Sequence, residues 1–301
     1  MILTEMYNGQ GLGNQLFCYV TTRCIAADKG VEFGLKGVEY LGDRRYNNKG
    51  LYFMNLYLGE PVDDNKIINY YKEKEIRLIT NTSHHDSTIG CDVRTFDEGL
   101  INVPDNCKID GIMQSEDYFY HRKKEIKEWL KVKPEHDCYD FTSDDICIIN
   151  FRDYRGNNEL YLTKYYWYNA IMHMLRINPN MQFLVITESP EAAREMLPEL
   201  SDNIYHFDVG KDYSIIKNAK YLILSNSSFA IFPAWTSETA RMIIAPKFWA
   251  RHNVSNGYWS CSYNLYRDWF YMDDRGILFS YDECKRELKQ FIELNPKIYK
   301  K

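Results

Sequence analysis

From residue 146 onward, short apolar runs alternate with stretches of helical periodicity, and nothing else in the chain constrains the fold as tightly. Residues 146–151, 182–187, 204–207, 221–224 and 242–245 read as strands. Between them, 163–177, 190–197, 212–219 and 228–238 read as helices, with Pro190 opening the second and Asp212 as N-cap of the third. Strands separated by helices predict a parallel sheet covered on both faces, with ligands at the carboxyl ends of its strands.

The amino-terminal part begins the same way. Residues 1–7 read as a strand. The turn Asn8-Gly9-Gln10-Gly11-Leu12-Gly13-Asn14-Gln15 follows, and a helix then runs to about Asp28. Its apolar face carries Leu12, Leu16, Tyr19, Val20, Ala26 and Ala27. Residues 31–35 read as a second strand, and 36–110 show no clear period. An acidic, polar stretch over 135–145 marks a boundary near residue 140, giving domains 1–140 and 141–301. A late helix, 281–294, is a candidate to pack back on the first domain.

Composition excludes several classes. The net charge of −5 gives no general attraction to nucleic acid or to anionic membranes. No run of about 18 apolar residues predicts a transmembrane helix. The first residues lack the basic and apolar regions of a signal peptide. The 8 cysteines form no Cys-x-x-Cys pair and no zinc spacing with histidine. They read as reduced thiols in a cytoplasm, and the Asn-x-Ser/Thr triplets at Asn81, Asn226 and Asn253 are then accidental. The 25 Tyr, 15 Phe and 6 Trp suit either sugar contacts or an aromatic-rich core.

Four segments at expected strand ends carry chemistry. The Gly9–Asn14 turn lets backbone approach a phosphate or sugar at a helix start, or serves as a plain tight turn. Arg152 projects beyond a strand end, where a guanidinium grips a diphosphate or pairs with Asp153 on the surface. Ser225-Asn226-Ser227-Ser228-Phe229 offers hydroxyls and helix N–H groups to an anion, or an ordinary serine cap. Glu188 accepts the paired donors of a guanine edge, or complements a helix dipole. No Asp-x-Asp triplet occurs, so no metal site for a nucleotide diphosphate is expected.

These residues carry a family resemblance. Gly11-Leu12-Gly13-Asn14-Gln15-Leu16-Phe17 resembles the opening motif of the α-1,2-fucosyltransferases, glycosyltransferase family 11. Gly111-Ile112-Met113-Gln114-Ser115-Glu116-Asp117-Tyr118-Phe119 is similar to that family's Gln-Ser-Glu-x-Tyr-Phe segment. The Ser225–Phe229 stretch, and Ala245-Pro246-Lys247-Phe248-Trp249 after it, resemble two later motifs. The central His-x-Arg-Arg-Gly-Asp-Tyr motif is altered to Asn150-Phe151-Arg152-Asp153-Tyr154, with Arg155 next in line. The Phe-Ser-Trp-Trp run is altered to Phe229-Ala230-Ile231-Phe232.

The resemblance implies a GT-B architecture, two Rossmann-like domains facing a central cleft. It implies an inverting, metal-independent transfer of fucose from GDP-fucose to a glycan hydroxyl, the 2-OH of galactose. Arg152 would stabilise the leaving GDP. Asn226, Ser227, Ser228 and Phe229 would hold the diphosphate end, and Glu188 would read guanine. Gly11, Gly13, Asn14 and Gln15 would line the donor pocket from the first domain, with Gln114 and Glu116 toward the acceptor. Asp153, Glu116 and His121 are candidate bases. No cofactor is expected, and the partners are a nucleotide sugar and an oligosaccharide. The expected location is a bacterial or viral-type cytoplasm, at most peripheral to the membrane. Two alternatives stay open: the same scaffold with another nucleotide sugar, and an inactive glycan-binding module.

Overall fold

The computed structural model describes residues 1–42, 51–74, 76–78, 91–93, 95–155, 160–250, 252, 259 and 263–296. In chain order the first elements are β1 (Ile2–Glu5), α1 (Leu12–Lys29), β2 (Phe33–Lys36), β3 (Asn69–Lys72), β4 (Ile76–Leu78), β5 (Cys91–Val93), α2 (Glu98–Ile101), β6 (Cys107–Asp110) and α3 (Lys123–Trp129). There follow β7 (Ile146–Asn150), α4 (Lys164–Ile177), β8 (Gln182–Ile186), α5 (Pro190–Met196), β9 (Ile204–Tyr205), α6 (Val209–Asn218) and β10 (Tyr221–Leu224). The last are α7 (Ser228–Thr236), β11 (Met242–Pro246), β12 (Phe270–Met272), β13 (Leu278–Ser280) and α8 (Tyr281–Leu294).

The fold is α/β, with the chain in two compact units. One comprises Met1–Lys74, Phe96–Asp137 and Asp208–Lys211; the other comprises Glu75–Thr95, Cys138–Phe207 and Asp212–Lys301. The first is built on a 4-stranded sheet of order β2-β1-β6-β3, parallel throughout. Its central helix α1 buries Leu16, Tyr19, Val20 and Cys24 and ends at Gly30, whose φ of 64° is the left-handed C-cap conformation that glycine adopts without strain.

The second unit holds a 7-stranded sheet of order β13-β12-β11-β10-β7-β8-β9, parallel except for β13. Its inner strands β7, β8, β10 and β11 are buried almost end to end, as helices on both faces require. Tyr166, Trp167, Ala170 and Met174 fall on one face of α4 and pack against Cys147, Ile149 and Val185. Burying each large side chain of that stripe contributes roughly 1.5–3 kcal/mol.

The order of the strands reverses at β7. From β7 the chain steps outward to β8 and β9, then returns to β10 on the other flank of β7. The gap beyond the carboxyl ends of β7 and β10 is therefore the topological switch point of the sheet.

Two expectations change. Asp212 is not the cap of α6. Asp208 is, its carboxylate accepting from the Gly210 and Lys211 N–H groups at 3.0 and 3.1 Å, while Asp212 accepts from Phe207 N–H at 3.2 Å. The carboxyl-terminal helix α8 packs within the second unit, against β12 and β13, through buried Cys284 and Leu288. Ser280 and Glu283 close a capping box at its start.

His252 makes this unit acid-sensitive. It is 1% exposed, and its ring meets that of Tyr166 edge-on at 5.4 Å. Burial lowers its pKa to about 4, against the opposing pull of the Asp273 carboxylate and with a small push from Lys247. The unfolded chain takes up this proton near pH 6.5, whereas the folded chain does not. Stability is thus fully present above pH 6.5 and is lost as pH falls toward 4, by about 3 kcal/mol from this group. Denaturant melts of His252→Phe across that window are expected to show a flatter pH dependence than wild type.

Candidate active site at the sheet switch point

Asn150 ends β7. Its carbonyl oxygen accepts from the Ser225 N–H, and its side-chain Oδ1 accepts from the Ser225 hydroxyl, both at 3.0 Å. This clamp holds the ends of β7 and β10 together at the switch point. Two residues further on lies Arg152. The β7–β8 register pairs Asn150 with Ile186, so Arg152 and Glu188 stand at equal distances past adjacent strands. Such strands run about 4.8 Å apart, and the two side chains form an ion pair, each mostly shielded from solvent. Arg152 also lies 5.7 Å from the centre of the Tyr154 ring.

The sequence reading gave Glu188 no partner within the chain; here it holds the Arg152 guanidinium. Asp153 is also reassigned. Its burial raises the pKa, but the Arg155 side chain and backbone N–H, with the charges of Arg155 and Arg152, outweigh that and hold it below the usual carboxylate range. A carboxylate already bonded to Arg155 at 3.0–3.1 Å is a weak base at neutral pH. Arg155 also pairs with Glu195, tying the segment after β7 to α5.

On the other side of the crevice, α7 starts at Ser228 with Ser227 as N-cap. The Ser227 backbone is extended, its hydroxyl accepts no bond from the helix it caps, and no acid sits in the first turn. A helix start without its own carboxylate is suited to an anion. Asn226 does not serve there as expected. Its Nδ2 donates to the Leu160 and Trp249 carbonyls, each at 2.8 Å, and so braces two loops, while its buried Oδ1 has no hydrogen-bond partner among the described residues. The amide is also too buried to be a glycan acceptor. Asn81 and Asn253 lie outside the described residues. Phe229 is half-buried, with its ring edge-on to Tyr213 at 6.2 Å.

In the first unit the two expected motifs meet. Asn14, in the first turn of α1, accepts at Oδ1 from Gln114 Nε2 at 2.9 Å. Gly11 is the N-cap of α1, with an ordinary φ of −67°, and Gly13 is buried in its first turn. The position that demands glycine is Gly9, at φ 83°. Gln15 is a strut and not a ligand contact. It is fully buried, donating to the Gln10 and Tyr40 carbonyls at 3.0 and 2.6 Å and accepting from Gly42 N–H at 2.9 Å.

The Gln114 segment depends on a residue that the sequence reading passed over. Glu73 is 5% exposed. Its Oε2 accepts from the N–H groups of Ile112 and Met113, both at 2.8 Å, and its Oε1 from the Tyr118 hydroxyl at 2.8 Å. Met113 is held at φ 54°, a left-handed conformation uncommon for a non-glycine residue. A Cβ on Gly111 would come within 2.5 Å of Glu73, which explains the glycine. Glu73 was hidden in the stretch without readable period; a glutamate after the edge strand β3 has no pattern of its own.

Glu116 and His121 are displaced from the roles expected of them. Glu116 is 1% exposed, in the turn capped by Ser115, and does not face solvent. His121 contacts the Asp28 carboxylate at 2.8 Å, near the far end of α1. At about 1.5 Å per residue, Asp28 lies roughly 22 Å along the helix from Gly13. Lys247, just past β11, was a bystander in its motif. It is buried, its Nζ is 2.5 Å from Glu287 of α8, and it lies 3.4 Å from the centre of the Phe279 ring. Among the described residues no group of three or more His, Cys, Asp or Glu could hold a metal ion. Cys18, Cys24, Cys107, Cys147 and Cys284 are in no disulfide, and burial pushes the Cys18 and Cys284 thiols up to about 12.

No family model and no curated protein matches the sequence. Among solved structures, the chain is similar to NodZ alpha-1,6-fucosyltransferase soaked with GDP-fucose. The two share 13% identity over 81% of this chain and 94% of that one, at a TM-score of 0.45. The family resemblance stays with the motifs themselves. No described helix is long and apolar enough to cross a membrane.

Proposed function

We propose that this chain is a glycosyltransferase that moves fucose from GDP-fucose to a glycan hydroxyl, the 2-OH of galactose, with inversion and without a metal ion. One observation carries the reading. At the switch point of the second sheet, Arg152 beyond β7 faces the same crevice end as the acid-free start of α7 beyond β10. A guanidinium and a helix N-terminus together neutralise a leaving diphosphate. In this reading Ser227 and Ser228 bind phosphate oxygens, and Glu188 orients Arg152. Gly11, Gly13, Asn14 and Gln114 are sugar contacts in the same proposal. No general base is assigned, because Asp153, Glu116 and His121 are each engaged or displaced.

The test is thermal unfolding against GDP, GDP-fucose, GDP-mannose, UDP and UDP-galactose, with and without EDTA. A ligand at a hundredfold its dissociation constant stabilises by about 2.7 kcal/mol. GDP and GDP-fucose are expected to raise Tm, and EDTA to change nothing. Glu188→Gln separates two roles for that residue. A positioning role predicts weaker stabilisation by GDP and by UDP in equal proportion; guanine reading predicts loss of the GDP preference. Stabilisation by uridine nucleotides alone, or by none of the panel, would end the fucosyltransferase reading.

A further inference from the structure

The first unit holds a cavity that the proposed reaction does not use. Its volume is about 390 Å³, and it lies between the carboxyl-terminal half of α1, the start of β2 and α3. In a parallel sheet the start of β2 is the amino-terminal edge. The cavity is therefore at the opposite edge from the end of β6 that leads to Gln114. Its volume falls in the usual range for small-molecule pockets, about 300–1,000 Å³.

The lining combines flat apolar rings with donors and acceptors. Tyr57 and Trp129 form walls, and Arg23 sits between them. The Arg23 guanidinium is 4.0 Å from the centre of the Trp129 ring and 5.2 Å from that of Tyr57. It donates to the Tyr19 hydroxyl at 2.6 Å, which fixes it in place and leaves other N–H groups of the fork at the cavity. Glu32, Glu60 and Glu125 complete the polar lining. Glu60 is bonded to the Tyr57 hydroxyl, and Glu125 to Arg122 at 2.8 Å.

This lining selects among ligand classes. Glu125 is already paired with Arg122, which leaves Glu32 and Glu60 against the single Arg23 guanidinium, so an anion is still repelled on balance. A wholly apolar ligand would strip water from Arg23 and the glutamates without replacing their hydrogen bonds. A neutral polyhydroxyl ring satisfies both sides. Its hydroxyls donate to Glu32 and Glu60 and accept from Arg23, while its C–H groups rest against the exposed Tyr57 ring and the apolar lining of Ala27, Val31 and Phe33; Trp129 backs the Arg23 guanidinium. We propose that this cavity is a second saccharide-binding site, selective for neutral sugars and independent of the donor site in the other unit.

Saturation-transfer NMR on the full chain tests this with glucose, N-acetylglucosamine and glucuronate as probes, none of which carries the galactose of the proposed acceptor. Wild type and Arg152→Ala are both expected to transfer saturation to at least one neutral sugar, and more weakly to glucuronate. Tyr57→Ala and Trp129→Ala are each expected to weaken that binding by about tenfold. Tyr57 is 44% exposed, so its truncation leaves the fold intact and decides the matter if Trp129→Ala does not fold. Three results would each overturn the proposal: no transfer to either neutral sugar, equal transfer to glucuronate, or wild-type binding by Tyr57→Ala. Donor binding is read separately by the GDP and UDP melts, so a failed donor assignment leaves this sugar-binding result unchanged.

Discussion

Arg152→Ala is expected to lower the rate of GDP release from GDP-fucose, measured with lactose as acceptor, by about 10²–10³-fold. That is the usual loss when one preorganised group is removed from a developing negative charge. Stability should change little. The Arg152–Glu188 pair is partly solvated, with side chains 25% and 19% exposed, and such pairs contribute about 1 kcal/mol or less. The Tm of the variant is therefore expected within a few degrees of wild type, which separates a lost chemical group from a lost fold. Arg152→Lys should recover only part of the rate, because an ammonium cannot make the two parallel contacts of a guanidinium. Glu188→Gln should fall between the two, since it removes the partner that orients Arg152 but keeps the cation. An Arg152→Ala protein with turnover within an order of magnitude of wild type would defeat the assignment of the crevice.

The largest expected effect on stability is at Glu73. Replacing it with alanine leaves the Ile112 and Met113 N–H groups and the Tyr118 hydroxyl without their acceptor, in a site where Tyr118 is 1% exposed. Each buried donor so orphaned costs about 1–3 kcal/mol before relaxation. The sum after relaxation is about 4 kcal/mol, or a drop in Tm of about 8–15 °C. Glu73→Gln keeps one acceptor oxygen and the shape, and should cost about half as much. The left-handed Met113 would also lose its anchor, and with it the placement of Gln114 against Asn14. Where Glu73→Gln is folded, its transfer rate should fall more than its donor affinity, because Gln114 is a sugar contact in the proposed reaction. A Glu73→Ala protein that melts within two or three degrees of wild type would show that the buried carboxylate is dispensable.

How far the sequence could be read depended on where each residue packs. The inner strands β7, β8, β10 and β11 were legible because burial on both faces demands unbroken apolar runs, and such runs stand out between helices. The edge strand β3 was not, since its residues Asn69–Lys72 alternate half-buried with exposed and carry Tyr and Lys. The short β12 and β13 were missed for a related reason: strands of three residues are too brief to establish a period. Arg152, Glu188 and Ser225–Phe229 were legible as segments that follow strand ends, because the buried strands before them end in clear apolar runs.

Sequence alone determined the class of the fold, the order of its central strands and helices, and which segments lie at their carboxyl ends, because periodicity and local caps are properties of neighbours in the chain. Tertiary structure alone decided what those segments do to one another. Register set Arg152 against Glu188, a buried network bound Gln15 and Asn226 to backbone, and Glu73 came to organise a motif nearly forty residues away. Hydrogen bonding and ion pairing depend on distance in space, and no pattern of near neighbours encodes a partner that the fold brings from elsewhere.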